Sequence, residues 1–84
     1  METTAHKYIK EYTDRFITHT DSEIISVFNR EVGNSGWGTA RASYLVAIHS
    51  EFDRRKFDYS EIGDSKSLSF KNHIVLDGKK ISKV

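Results

Sequence analysis

Cysteine and proline are both missing from this chain of 84 residues. Without cysteine there are no disulfides, no thiolate metal ligands and no thiol nucleophile, and the expected setting is a reducing cytoplasm. Without proline no helix is obliged to kink, and no slow X–Pro isomerisation enters folding. Long apolar runs are missing too. None approaches the ~18–20 residues needed to cross a bilayer, and no apolar stretch lies near Met1, so no membrane span or leader is expected. Charge of one sign is not in surplus: thirteen basic residues against twelve acidic give +1, which predicts no strong long-range field. What is present is ordinary globular material, 37% hydrophobic and 30% charged, which excludes a disordered or fibrous chain. A single small domain over 1–84 with a modest core is expected.

Five glycines, at 33, 36, 38, 63 and 78, punctuate the chain. Before them, Ala5, Tyr8, Ile9, Tyr12 and Phe16 recur at helical spacing, predicting an amphipathic helix over about 3–18. Its stripe is rich in tyrosine, whose hydroxyls need water or a partner, so this helix should lie at the rim of the core. Thr20 and Glu23 form the signature of a capping box for a second helix over 21–32, with Ile24, Ile25, Val27, Phe28 and Val32 facing inward. Gly33 suits the left-handed position that ends such a helix. After the loop Gly33–Gly38, a third helix is expected over about 39–56, burying Ala40, Tyr44, Leu45, Ile48 and Phe52. Asp58 and Glu61 suggest a second capping box around a short helical turn at 59–62. His73–Leu76, Asp77-Gly78 and Lys79–Val84 read as a hairpin, about 73–83, with a tight primed turn. The expected fold class is therefore α+β. Its core would be Phe16, Ile24, Phe28, Leu45, Ile48 and Phe52, with the C-terminal hairpin covering one end.

The glycine loop precedes a helix N-terminus, where free amides favour an anion, and Thr39 and Arg41 sit close by. No lysine followed by serine or threonine completes a P-loop, and no strand leads in, so the plainer reading is a tight connection that folds Trp37 onto the core. The histidines at 6, 19, 49 and 73 have no zinc spacing, and no serine sits in a nucleophile elbow. No metal, no cofactor and no catalytic residue is expected, and a domain this small has little room for a reaction pocket. Glu51, Asp53, Asp58 and Glu61 need no role beyond capping and solubility.

Two binding surfaces emerge instead. Between Lys66 and Val84 there are five lysines against Asp77 alone. Together with Arg54 and Arg55, the lysines at 71, 79, 80 and 83 would form a basic face. Three helices followed by a hairpin resemble a winged helix, which would make nucleic acid the partner. Against this stand a long stretch between helix and hairpin, and acid on the presumed outer side of the third helix around Ser43, Ser50, Glu51 and Asp53. Lysines on a hairpin edge also guard against strand pairing. The other surface is aromatic. Tyr8, Tyr12, Trp37, Tyr44, Phe57 and Tyr59 exceed what one small core hides, and aromatics beside arginine typify protein interfaces. Trp37, Arg41, Arg54, Arg55, Phe57 and Tyr59 are the expected contact residues, and another protein or a second copy of the chain the expected partner. The competing reading places Phe57 and Tyr59 at the lower end of the core.

A run of residues adds a resemblance. Glu31-Val32-Gly33-Asn34, Gly36-Trp37, Arg41, Tyr44-Leu45, Glu51-Phe52, Arg55, Phe57-Asp58-Tyr59-Ser60, Ile62-Gly63-Asp64 and Ser67-Leu68-Ser69 resemble short uncharacterised proteins of bacteria and their phages, over roughly 22–82. The resemblance implies a small cytoplasmic accessory protein, phage-encoded and acting on a host component. It attaches no activity to any residue. The favoured expectation is a non-enzymatic binding protein that regulates or inhibits a partner protein; the alternative is the nucleic-acid-binding module with the basic hairpin.

Overall fold

The computed structural model describes residues 4–33 and 38–84. Three helices, α1 (Thr4–Phe16), α2 (Asp21–Arg30) and α3 (Gly38–Arg54), precede a two-stranded antiparallel sheet of β1 (Ile74–Asp77) and β2 (Lys80–Lys83). This is the small α+β arrangement that the residue pattern predicts. The loop residues 34–37, among them Trp37, and the side chains of Ala5, His6, Thr39 and Ala40 lie outside the described set.

Each helix stops earlier than periodicity alone suggests, and local hydrogen bonds show why. After α1 the His19 amide donates to the Phe16 carbonyl at 3.0 Å, tightening the chain into the Thr20 cap. There the box closes as expected: Thr20 N donates to Glu23 Oε1 at 2.7 Å and Glu23 N to Thr20 Oγ1 at 3.1 Å. After α2 the Glu31 and Val32 amides donate to the carbonyls of Phe28 and Asn29, and Gly33 follows with φ +76°. After α3 the Lys56 amide donates to the Asp53 carbonyl and the Phe57 amide to the Phe52 carbonyl, with the Phe52 and Phe57 rings 5.6 Å apart. These are the two bonds and the apolar contact of a Schellman motif. The left-handed position within it is held by Lys56, φ 60°, rather than by glycine.

The hairpin turns through two residues, Gly78 and Lys79, closed by the pair Asp77–Lys80. Gly78 has φ +62° and Lys79 does not share the positive sign, so glycine stands first in the turn, as type II′ requires. On the far side of β2 the chain at Asp58 makes a parallel bridge to Lys80, its amide donating to the Lys79 carbonyl and its carbonyl accepting from Ile81. The opposite edge, β1, meets α2. The Asn29 carboxamide donates to the Ile74 carbonyl at 3.0 Å and accepts from the Ile74 amide at 2.8 Å, standing in for a strand.

The core gathers Phe16, Ile24, Val27, Phe28, Ile48, Phe52, Phe57, Ile62, Ile74 and Ile81. Of the six expected core residues only Leu45 is half-exposed; it faces a surface groove. α1 packs on α3 through a Tyr12–Tyr44 edge contact at 4.8 Å and a Phe16–Tyr44 contact at 5.2 Å. Tyr8 and Tyr12 remain half-buried, the rim placement that tyrosine predicts. The segment 59–62 differs from expectation. It is one turn, with the Ile62 amide on the Tyr59 carbonyl, and not a helix. Asp58 accepts from the amide and hydroxyl of Ser60, while Glu61 reaches instead to the Lys83 amide at 3.4 Å and lies 3.8 Å from the Lys80 ammonium. An aspartate bonded to the residue two ahead fixes a turn without needing helix beyond it.

Candidate functional site

The contact residues expected from sequence do not form one patch. Arg41 opens α3, and Arg54 closes it thirteen residues on, about 20 Å away at 1.5 Å per residue. Arg41 is largely enclosed. It donates to the Glu31 carbonyl at 3.2 Å, and its Nε lies 3.4 Å from Glu31 Oε1, tying the start of α3 to the end of α2. Arg55 is withdrawn from the surface, its side chain 7% exposed. It donates to the carbonyls of Phe16 at 3.0 Å and His19 at 2.6 Å, to Asp21 Oδ1 at 2.7 Å, and through Nε to Glu51. One guanidinium thus holds the end of α1, the start of α2 and the last turn of α3 together. Phe57, 5% exposed, is core. Only Arg54 and Tyr59 of the C-terminal group reach solvent, and both are engaged: Arg54 donates to Glu51 at 2.6–3.2 Å.

The acidic outer face expected on α3 is only partly there: Ser50 and Asp53 are exposed, but Ser43 and Glu51 are buried, Glu51 completely. A fully buried carboxylate is tolerated only when paired and hydrogen-bonded, and two arginines supply that. Burial alone would raise the Glu51 carboxyl; the hydrogen bonds from Arg54 and Arg55 outweigh it and hold it below the usual carboxylate range. Glu51 therefore has a structural role well beyond solubility.

The basic candidates are dispersed as well. Arg55 is buried, Arg54 is neutralised by Glu51, and Lys80 lies 3.8 Å from Glu61. Lys79 donates to the Arg55 carbonyl at 3.2 Å and sits 5.4 Å from the centre of the Phe57 ring. Lys71 and Lys83 are exposed. The described aromatics are not an exposed cluster either: Tyr8, Tyr12, Tyr44 and Tyr59 are half-buried and Phe57 buried.

Two depressions flank α3, one at its C-terminal end and one along its middle turns. The first, about 380 Å³, is mixed, with the polar side chains of Asp53, Lys56, Asp58, Ser60 and Asp64 beside Phe57, Tyr59 and Gly63. Its acids already have donors. Asp53 accepts from the Tyr59 hydroxyl, Asp58 from Ser60, and Asp64 from the amides of Lys66 at 2.8 Å and Ser67 at 3.1 Å. The hydrogen bond to Asp53 pushes the Tyr59 phenol up to about 12, while the Lys66 and Ser67 amides hold the Asp64 carboxyl below its usual range. Tyr59 also meets His49 Nε2 at 3.2 Å. Since the phenol donates to Asp53, the imidazole Nε2–H is the donor of that contact. Among the described residues no group of three His, Asp or Glu side chains is placed to hold a metal ion.

The second depression, about 250 Å³, is apolar. Ala42, Leu45, Val46 and His49 form one wall and Lys66, Ser67, Leu68 and Phe70 the other. Both walls follow from backbone period. Residues 42, 45, 46 and 49 share a helix face; on the other wall Leu68 and Phe70 alternate with the exposed Ser67 and Ser69, after Lys66 in the bend that follows Asp64. That segment is fixed from below. Phe70 stacks on Phe28 at 4.3 Å, Ser69 N donates to the Ile62 carbonyl at 2.6 Å, and Gly63 pairs with Leu68. A β-carbon at Gly63 would fall on the Ser67 carbonyl and lie 2.8 Å from the Leu68 Cα, so glycine is required for this close approach. Val46, 48% exposed, stands at the groove mouth. The sequence does carry a signal for it: Tyr44–Ile48 is an unbroken apolar run on a helix, more than one buried stripe can absorb.

The fold and this surface define a small α+β domain with a preformed apolar groove. No family model, curated protein or solved structure matches the chain. Among the described residues no helix is long and apolar enough to cross a membrane.

Proposed function

We propose that this chain is a non-enzymatic protein-binding domain that docks a partner polypeptide on the α3 groove and so regulates or inhibits it. The observation that carries the reading is the groove itself, a rigidly supported apolar cleft with Val46 and Leu68 open to a visitor. Its volume, about 250 Å³, accommodates one large apolar side chain. Anchoring of one apolar side chain in a well-packed pocket is how protein interfaces concentrate their binding energy. The contact surface thus moves from the arginine-rich end of α3 to its middle turns. The accessory role in a host cytoplasm implied by the resemblance accords with such an activity.

The test is affinity capture from cell extracts with the wild-type chain, Val46→Asp and Lys79→Ala, each shown to be folded by circular dichroism. Capture lost with Val46→Asp and kept with Lys79→Ala is expected. A capture pattern indifferent to position 46 would sink the proposal. If that pattern instead tracks the hairpin lysines and falls steeply between low and physiological salt, nucleic acid is the partner.

A further inference from the structure

Of the six aspartates in the chain, five accept a hydrogen bond. Asp14 accepts from Lys10 at 3.0 Å, Asp21 from Arg55 at 2.7 Å, Asp53 from the Tyr59 hydroxyl, Asp58 from Ser60, and Asp64 from the amides of Lys66 and Ser67. Asp77 is the sixth. It is exposed, and among the described residues no donor or cation engages its carboxylate. Its backbone pairs with Lys80 at the end of the β1–β2 ladder, and the exposed Gly78 follows it at the first corner of the turn. The Gly78 amide lies outside that ladder, with open space where a β-carbon would stand. A free carboxyl and an unshielded amide nitrogen therefore adjoin at the tip of the hairpin.

Two other aspartates precede a small residue, in Asp21-Ser22 and Asp64-Ser65. The fold sets them apart from Asp77. Asp21 opens α2 and is held by Arg55, while Asp64 is tied to two amides ahead of it and its own amide donates to the Ser67 carbonyl at 2.9 Å. For either carboxyl to turn back on the next amide, those bonds must break. At Asp77 only the closing pair of a short strand must open.

We infer that Asp77–Gly78 is a site of spontaneous backbone modification through a cyclic imide, and that the fold protects the other aspartates from it. The Gly78 nitrogen gives up its proton and bonds to Asp77 Cγ, a Cγ–O bond breaks, and one water leaves. Water then opens the imide. Attack at Cγ restores aspartate; attack at the main-chain carbonyl leaves Gly78 joined through Cγ, an isoaspartate. That linkage adds an atom to the backbone of a tight turn, so the Asp77–Lys80 pair no longer closes. Ile81 stays in place, because its amide donates to the Asp58 carbonyl at 2.8 Å.

The experiment ages the full chain at neutral pH, folded and in urea, and maps its peptides by electron-transfer fragmentation, which separates isoaspartate from aspartate. In the fold, isoaspartate should form at 77 about tenfold or more faster than at 21 or 64, the factor for releasing a charge-assisted hydrogen bond. In urea that advantage should shrink to the smaller one that glycine holds over serine as the following residue. Asp77→Ser, at an exposed position, should remove the fast reaction from the folded chain. Hydrogen exchange on the aged chain should show protection lost at Lys80 and kept at Ile81. A rate at 77 no higher than at 21 and 64 in the fold overturns the inference. So does an advantage that urea leaves unchanged, which would make it a property of the sequence alone. Protection kept at Lys80 overturns the effect on the turn.

Discussion

Within α3, the last turn and the middle turns use their side chains in opposite directions. In the last turn Glu51, Arg54 and Arg55 face one another, and Arg55 also gathers α1 and α2, so chemistry that looks reactive is directed inward. In the middle turns Ala42, Leu45 and Val46 have no polar chemistry, yet they line a groove open to solvent. Charge and aromaticity mark a binding surface only when the neighbouring helices leave them unengaged. Here the fold consumes the conspicuous residues and exposes the plain ones.

The largest effect is expected at Glu51. Removing one member of a buried charge network leaves its partners uncompensated, so Glu51→Ala should lose about 3–5 kcal/mol in urea unfolding. That is enough to unfold much of a domain this small at room temperature. A variant that stays within 1 kcal/mol, roughly the value of a surface pair, would show the last turn to be no more committed than the groove. The same network gives acid sensitivity. The Glu51 carboxyl lies below its ordinary 4.5 in the fold, so its contribution is present above that pH and is lost as pH falls through the lower folded value.

Gly63→Ala comes next. The added methyl collides with the backbone at Ser67 and Leu68, which should cost about 1–3 kcal/mol by overpacking. It should also displace the Leu68 wall, weakening partner capture while the helical circular dichroism persists. Retained binding would separate the groove from its loop. Lys56→Gly sharpens the contrast from the other side. Relieving a left-handed lysine should stabilise by about 1 kcal/mol, read as a higher Tm. An unchanged or lower Tm would mean that the Lys56 side chain contributes as much as its backbone costs.

The smallest effect is alkaline. The Tyr59 phenol is raised to about 12, so the fold favours its neutral form. That contribution is complete below about pH 10, the ordinary phenol value, and is lost as pH rises through 12. Tyr59→Phe should flatten stability across this window; Tyr44, raised by burial, and Tyr59, raised by Asp53, should both lag in a phenolate absorbance titration, and the substitution should remove one of the two. All tyrosines titrating together would contradict the Asp53 bond.

Most of the architecture was legible in the sequence, because it rests on local rules. Thr20 with Glu23, the stripe of α2 and the Asp77-Gly78 turn each act within a few residues. The ends of the helices were less legible: Lys56 carries no mark that it adopts a conformation glycine usually takes. The site was hardly legible. Arg55 reaches Asp21 across the whole of α2 and α3, and no spacing rule reports a contact between residues so distant in sequence. Leu68 and Phe70 read as alternating, which was right, but nothing local says that α3 lies opposite them.

The Asn29 carboxamide, described above as standing in for a strand, has one more consequence. The two alternate residues of β1 whose backbone groups point away from β2 are Ile74 and Leu76, and Asn29 occupies the first. A foreign chain adding to this edge finds a single residue of ladder, too little to nucleate fibre growth. Ageing of that amide to an acid would set an oxygen against the Ile74 carbonyl and withdraw the plug. A single uncharged side chain on a helix therefore limits how this protein could polymerise.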